Sequence, residues 1–225
     1  MSIRIVQRKG TLDILEDLYH FRTLTIEQIK YVFFPHATDY VYRKMRRLVK
    51  EGLVESVRYG KAARYQITQA GIDRLVEEGR LTDARRVRDN TPDSRDISRI
   101  IRANDVYTYL TPFGFKVTDM REWKNRYGIN RNAWVAAGVE TLDKKKVYSV
   151  YFLLDNLSDE DIFRIRSEME QSEISRYIMI FNDLKVYQKY VSNLSNTEKG
   201  LLELLLLSRE DLRLAFPLFP SETSY

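Results

Sequence analysis

Between Thr38 and Gln66 two hydrophobic periodicities follow one another, and that change of period limits what the chain can build. Val41, Met45, Leu48 and Val49 recur at helical spacing, whereas Leu53 to Tyr59 alternates and is rich in Val. Gly52 separates the two, where a glycine can close a helix in the left-handed conformation. Gly60-Lys61-Ala62-Ala63 then turns the chain into Arg64–Ile67. The stretch therefore predicts a helix from Thr38 to Gly52 and a β-hairpin with Lys61 at its tip. At about 100° per residue, Asp39, Arg43, Arg46 and Lys50 fall opposite the apolar stripe, with Tyr42 and Arg47 flanking them.

The same stretch holds the charge imbalance of the whole chain. Arg43, Lys44, Arg46, Arg47, Lys50, Arg58, Lys61 and Arg64 stand against Asp39, Glu51 and Glu55, a surplus of five, and the formal net charge of all 225 residues is also +5. Elsewhere acids and bases balance. A surplus confined to one short unit marks a surface for an anionic partner rather than a general aid to solubility. The composition, 44% hydrophobic and 31% charged, is that of a globular protein and excludes wholesale disorder. With no Cys, disulfides, Cys-ligated zinc and thiol nucleophiles are excluded, which suits a reducing cytosol. MSIRIVQRKG lacks the apolar core of a signal peptide, and the most apolar run, Leu201–Leu207, is interrupted by Glu203 and too short to span a bilayer. The expectation is a cytoplasmic protein with no membrane partner.

Ahead of that stretch, Thr11–Phe21 places Leu12, Leu15 and Tyr19 on one helical stripe, with Ile14, Leu18 and Phe21 beside it. Thr25 with Gln28 three residues on is a capping box for a second helix, whose face is Ile26, Ile29 and Phe33 and which Pro35 ends. Behind it, Thr68 caps a fourth helix carrying Ile72, Leu75 and Val76, closed by Gly79. Three helices, a hairpin and a trailing helix are the plan of a winged helix-turn-helix over residues 1–79. Arg80–Asp96 lacks apolar periodicity and contains Pro92, so it predicts a linker with a solvated Arg85-Arg86-Val87-Arg88 run. Residues 97–225 read as an α/β domain. It has a helix Ile97–Leu110 and strands over Phe115–Met120, Trp134–Val139 and Val147–Leu154. A helix from Ser158 to about Glu173, with Ile162, Phe163, Ile165 and Met169 as its face, leads to a strand Tyr177–Phe181 and a helix Leu184–Leu194. Lys199–Leu207 fits strand and helix alike, and the proline-broken tail FPLFPSETSY fits neither.

Tyr65, Ile67, Thr68 and Gly71 resemble the "Tyr-x-Leu-Thr-x-x-Gly" ending of winged-helix regulators, with Ile67 at the Leu position. Arg102, Asn104, Asp105, Val106 and Tyr107, following a winged helix and preceding a compact α/β domain, resemble the replication-relaxation family. That resemblance implies a protein of plasmids and other mobile elements of Gram-positive bacteria, acting in replication, conjugative transfer or transcription.

Catalytic motifs are harder to find. The order helix, strand, strand, strand, helix, strand resembles a PD-(D/E)xK nuclease core, whose carboxylates hold Mg²⁺ while a Lys orients water. The corresponding stretches read Arg131-Asn132-Ala133-Trp134 and Tyr148-Ser149-Val150-Tyr151-Phe152-Leu153, without the Asp, Glu or Lys. Asp119, Glu122, Glu140 and Asp155 remain as acids whose spacing matches no metal motif. The only histidines are His20, beside a core stripe, and His36, which could meet a phosphate or cap its turn. No phosphate-binding glycine loop is present, so no cofactor is expected. The fifteen Tyr fall mostly on predicted strands and apolar helix faces, where they serve packing, although a ligand-sensing α/β domain would also use such residues.

The sequence thus predicts an α+β protein: an N-terminal winged helix-turn-helix followed by an α/β domain that resembles a nuclease core stripped of its catalytic residues. Its expected activity is non-catalytic, sequence-specific binding of double-stranded DNA by Thr38, Asp39, Tyr42, Arg43, Arg46, Arg47, Lys50, Arg58, Lys61 and Arg64, with no catalytic or metal-binding residues. A homodimer is expected, since one winged helix reads only a few base pairs. Other replication, transfer or transcription proteins are possible partners through the second domain. The alternative is a metal-dependent nuclease or nicking enzyme targeted by the winged helix.

Overall fold

The computed structural model describes residues 10–34, 38–59, 62–82, 84, 86–87, 92, 97–111, 115–141, 146–153, 158–171, 174, 176–181, 183–194 and 202–206. They form a mixed α+β structure in two compact units, divided between Thr108 and Tyr109.

In the first unit, α1 (Thr11–Phe21) buries Ile14, Leu15, Leu18, Tyr19 and Phe21. The chain leaves it through Arg22, whose φ of 67° is left-handed, into a two-residue strand, β1 (Leu24–Thr25). Two residues are too few for alternation to register, so this strand has no sequence signal. The predicted capping box opens α2 (Ile26–Phe33): Thr25 Oγ1 accepts from Gln28 N at 3.2 Å, and Gln28 Oε1 accepts from Thr25 N at 3.0 Å. Such a box satisfies amides that would otherwise be orphaned and contributes about 1 kcal/mol. Next, α3 (Thr38–Lys50) buries Val41, Met45 and Leu48. Val49, expected beside them, is exposed, because one step beyond Leu48 turns it about 100° out of their line.

Gly52 takes φ 73° after the helix, and β2 (Val54–Tyr59) and β3 (Ala62–Ile67) form the hairpin, with Val54 opposite Ile67 and Tyr59 opposite Ala62. The sheet order is β1-β3-β2, so β3 is the central strand. In α4 (Gln69–Glu77), Thr68 is the N-cap: its Oγ1 accepts from Gly71 N at 3.2 Å and donates to Gly52 O at 2.5 Å. A Cβ on Gly71 would lie 2.3 Å from Leu53 O, so only glycine allows α4 to approach the strand this closely. Val76 is exposed, one step out of the Ile72–Leu75 line.

The helix α5 (Ile97–Leu110), expected at the start of the second domain, is built into the first unit as far as Thr108. The α1–α2 connection leaves backbone carbonyls that need donors, and α5 supplies them. Asn104 Nδ2 donates to Phe21 O at 3.1 Å and to Thr23 O at 2.5 Å. Gln28 Nε2 donates to Ile101 O at 2.8 Å and Asp105 Oδ1 at 2.9 Å, and Tyr107 stacks on Phe21 with centroids 3.8 Å apart. Part of the stretch read as a linker is also tied down. Arg80 pairs with Glu16 at 3.1 Å and Asp13 at 3.5 Å, and Val87 N donates to Gln69 Oε1 at 3.1 Å.

The second unit is a five-stranded sheet of order β4-β5-β6-β7-β8, from β4 (Lys116–Asp119), β5 (Val135–Glu140), β6 (Val147–Leu153), β7 (Tyr177–Phe181) and β8 (Leu202–Leu206). The first three strands are antiparallel, whereas β6, β7 and β8 run parallel. Parallel neighbours require crossovers, and α7 (Asp159–Gln171) and α8 (Leu184–Ser192) provide them. The ambiguous Lys199–Leu207 thus contains a strand. Ahead of β5, α6 (Met120–Arg126) had no sequence signal, since its seven residues make fewer than two turns and its first, Met120, fell on the expected strand. β5 and β7 are buried along their whole length, as expected where both sheet faces are covered. One core gathers Trp123, Val135, Tyr151, Ile162, Ile165, Met169, Tyr177, Phe181 and Tyr190. Phe163, assigned to the core face of α7, is exposed because it lies one helical step beyond Ile162. Among the described residues, no helix is long and apolar enough to cross a membrane.

Candidate nucleic-acid interface

α3 is held from behind and open in front. Val41, Met45 and Leu48 are fully buried, while Asp39, Tyr42, Arg43, Arg46, Arg47 and Lys50 are exposed. Lys44 lies between the two faces and donates to Thr11 Oγ1, so this cation is used to join α3 to α1. Arg43, Arg46 and Lys50 make no ion pair among the described residues. Arg47 is bound by Glu51 at 2.6 Å, and that hydrogen bond raises its pKa further above the usual arginine value. Its side chain nevertheless stays open to solvent, where such an (i, i+4) pair is weak and yields easily to a phosphate. Thr38 begins the helix, but its side chain lies outside the described residues, as do His36 and Lys61.

The hairpin divides its two described cations. Arg58 on β2 is exposed, as expected of a phosphate contact, whereas Arg64 on β3 is 7% exposed. A strand flanked by neighbours on both edges buries its side chains more readily than an edge strand, and Arg64 sits opposite Thr25 on one side and Val57 on the other. Arg64 therefore belongs to the interior of the unit and not to its open surface. Tyr65, next to it, was absent from the predicted interface. Its half-buried phenol has a raised pKa, first through desolvation and then through Tyr42, with Arg46 acting in the opposite sense. Tyr42 and Arg46 of α3 thus act electrostatically on Tyr65. No charge count could find Tyr65, because a phenol adds nothing to the formal charge.

A family model described as "Replication-relaxation" matches residues 15–163. The chain belongs to the replication-relaxation family. No curated protein matches the chain significantly. Among solved structures, the chain is similar to that of TrmBL2, an archaeal chromatin protein said to show a novel mode of DNA binding. Identity is 12%, coverage is 82% of this chain and 70% of that one, and the TM-score is 0.20, too low to carry an argument.

The replication-relaxation match includes α3, the hairpin and the Arg102–Tyr107 motif. In that motif Asn104 and Asp105 are used inside the first unit, on Phe21, Thr23 and Gln28, so they support the fold rather than a ligand. The acids singled out in the second unit are likewise engaged. Asp119 caps α6 by accepting from Arg121 N at 2.8 Å and Glu122 N at 3.3 Å. Glu122 pairs with Arg126 at 2.6 Å, and Glu140 with Arg126 at 3.0 Å and Lys116 at 3.8 Å. The buried Lys124 donates to Arg131 O and Ala133 O, at 3.0 and 2.6 Å, which fixes the turn before β5. Asp155 lies outside the described residues.

Proposed function

We propose that this member of the replication-relaxation family is a non-catalytic, sequence-specific binder of double-stranded DNA, its first unit acting as a winged helix. One observation carries the reading: α3 presents Tyr42, Arg43, Arg46, Arg47 and Lys50 on its open face while Val41, Met45 and Leu48 anchor the other. A helix of this kind enters the major groove, where Arg can hydrogen-bond guanine O6 and N7 together. Arg58 on the hairpin fits a phosphate contact that positions the helix without specifying sequence. The second unit then supplies dimerisation or contacts to replication, transfer or transcription proteins, and the family points to plasmids or other mobile elements as the setting.

Footprinting on DNA from the gene's own neighbourhood tests this directly. The expected result is a protected site with two half-sites. Replacing Arg43 by Ala should cost about 1–3 kcal/mol on that site and relax its sequence preference. Protection that survives Arg43→Ala, Arg46→Ala and Arg47→Ala together would remove α3 from the interface.

A second reading rests on the topology of the second unit, three antiparallel strands leading through a crossover helix to a parallel one, the order a PD-(D/E)xK nuclease uses. Against it, Asp119, Glu122 and Glu140 each serve a cap or an ion pair. Nicking of supercoiled plasmid in Mg²⁺ or Mn²⁺ would favour that reading over ours.

A further inference from the structure

α3 carries two aromatic side chains, Tyr40 and Tyr42, and leaves both open, at 46% and 41% exposure. Helix phase puts them on opposite flanks of the cationic face. At about 100° per residue, Tyr40 stands roughly 90° to one side of the line through Arg43, Arg46 and Lys50, and Tyr42 roughly 70° to the other. Arg47 shares the flank of Tyr40, two turns on and about 20° round. The ring of Tyr40 has a fixed neighbour. Phe34 meets it edge to face with centroids 5.1 Å apart, and this phenylalanine is buried and tied to the end of α2 through its N–H on Lys30 O at 2.8 Å. Neither tyrosine hydroxyl has a hydrogen-bond partner among the described residues.

We propose that Tyr40 and Tyr42 straddle the DNA groove, each hydroxyl donating to a backbone phosphate on a different strand. The proposal rests on the DNA-binding reading above. An α-helix with its side chains is about 10–12 Å across and the major groove about 12 Å wide, so a helix seated there touches both walls. Those walls are the two phosphate backbones. Residues at the sides of the helix meet them, while residues facing the floor meet base edges. A phenol suits the wall better than the floor. Its single O–H cannot make the paired contacts that tell bases apart, whereas any phosphate oxygen can accept from it. Contacts to both strands keep the helix from rolling in the groove, which leaves Arg43, between them, to read sequence.

The test uses the full chain with Tyr40→Phe and Tyr42→Phe, and Arg43→Ala for comparison, titrated by fluorescence anisotropy into labelled duplexes. One duplex carries the footprinted site and another a scrambled sequence of the same composition. A further set carries the site with a single methylphosphonate, an uncharged linkage, at successive positions on either strand. Each Tyr→Phe variant should lose about tenfold in affinity on the site and the scrambled duplex alike, with the wild-type salt slope because no charge is removed. A methylphosphonate at one position should cost Tyr40→Phe less than it costs wild type, and one on the opposite strand should do the same for Tyr42→Phe. Phe keeps the ring and both positions are exposed, so wild-type thermal midpoints are expected. Wild-type affinity for either Tyr→Phe variant, with Arg43→Ala weakened, would overturn the straddle and leave the DNA reading intact. So would a loss confined to the footprinted site, which assigns the phenols to bases, or two matched linkages on the same strand. If none of the three substitutions changed affinity, the straddle and the reading of α3 as the DNA helix would fall together.

Discussion

A Cβ on Gly138 would lie 1.8 Å from Trp123 Cδ2 and 1.9 Å from its Cε3, so the indole occupies the space a side chain at that position would need. Trp123 has little room to yield. It is fully buried, and its Nε1 donates to Ser149 Oγ at 2.9 Å. Gly138→Ala should therefore destabilise the second unit by about 3 kcal/mol, since overpacking at a fixed ring forces the strand itself to move. Ser149→Ala leaves the indole N–H buried without its acceptor and should cost about 1–3 kcal/mol. Urea denaturation followed by Trp fluorescence measures both; a Gly138→Ala midpoint equal to wild type would mean the ring can rotate away. Gly71 makes the same kind of demand in the first unit, 2.3 Å from Leu53 O, although there the obstacle is backbone and cannot rotate at all. The close approach at Gly71 was half legible, as the glycine of a recognised motif; that at Gly138 was not, because nothing in VAAGVE says that a tryptophan fifteen residues earlier packs over it.

Among the elements, α5 shows how a correct boundary can carry a wrong assignment. Ile97–Leu110 follows from its apolar spacing, and so does Thr11–Phe21, because helices of this length complete three turns and the period becomes visible. The period does not say which neighbour the helix packs on. That is decided by Asn104 and Asp105, polar residues that a hydrophobic pattern ignores, through the carbonyls of Phe21 and Thr23 and the amide of Gln28. Asn104→Ala should expose two carbonyl partners to an apolar void and cost about 2–3 kcal/mol. Hydrogen exchange should then quicken in α1 and α2, whose connection Asn104 holds, with the second unit's strands unchanged. Equal protection in wild type and variant would make α5 a passive neighbour. The basic face of α3 was legible for the opposite reason. Arg43, Arg46 and Lys50 advertise themselves by charge and phase, whereas Arg64 carries the same charge into the interior because β1, a two-residue strand without a sequence signal, makes β3 central.

Taken over the whole molecule, the surplus of five positive charges sits in a stretch whose exposed bases, among the described residues, are Arg43, Arg46, Arg47, Lys50 and Arg58. If all of them neutralise phosphates, affinity for duplex DNA should fall with salt at a log–log slope of about −4 to −5 per bound protomer, from about −0.9 per contact. Glu51 competes with DNA for Arg47 and lowers the effective count, so Glu51→Gln should bind more tightly and steepen the slope by a fraction of one contact. Glu55→Gln removes the same charge from the hairpin without freeing a partner and serves as the control. A steeper slope for Glu51→Gln than for Glu55→Gln identifies Arg47 as a DNA contact that its own helix restrains. Equal slopes would reduce the effect to net charge and take Arg47 out of the interface. The comparison is informative because the two glutamates lie four residues apart in sequence, so long-range attraction changes alike in both variants and only the released guanidinium differs.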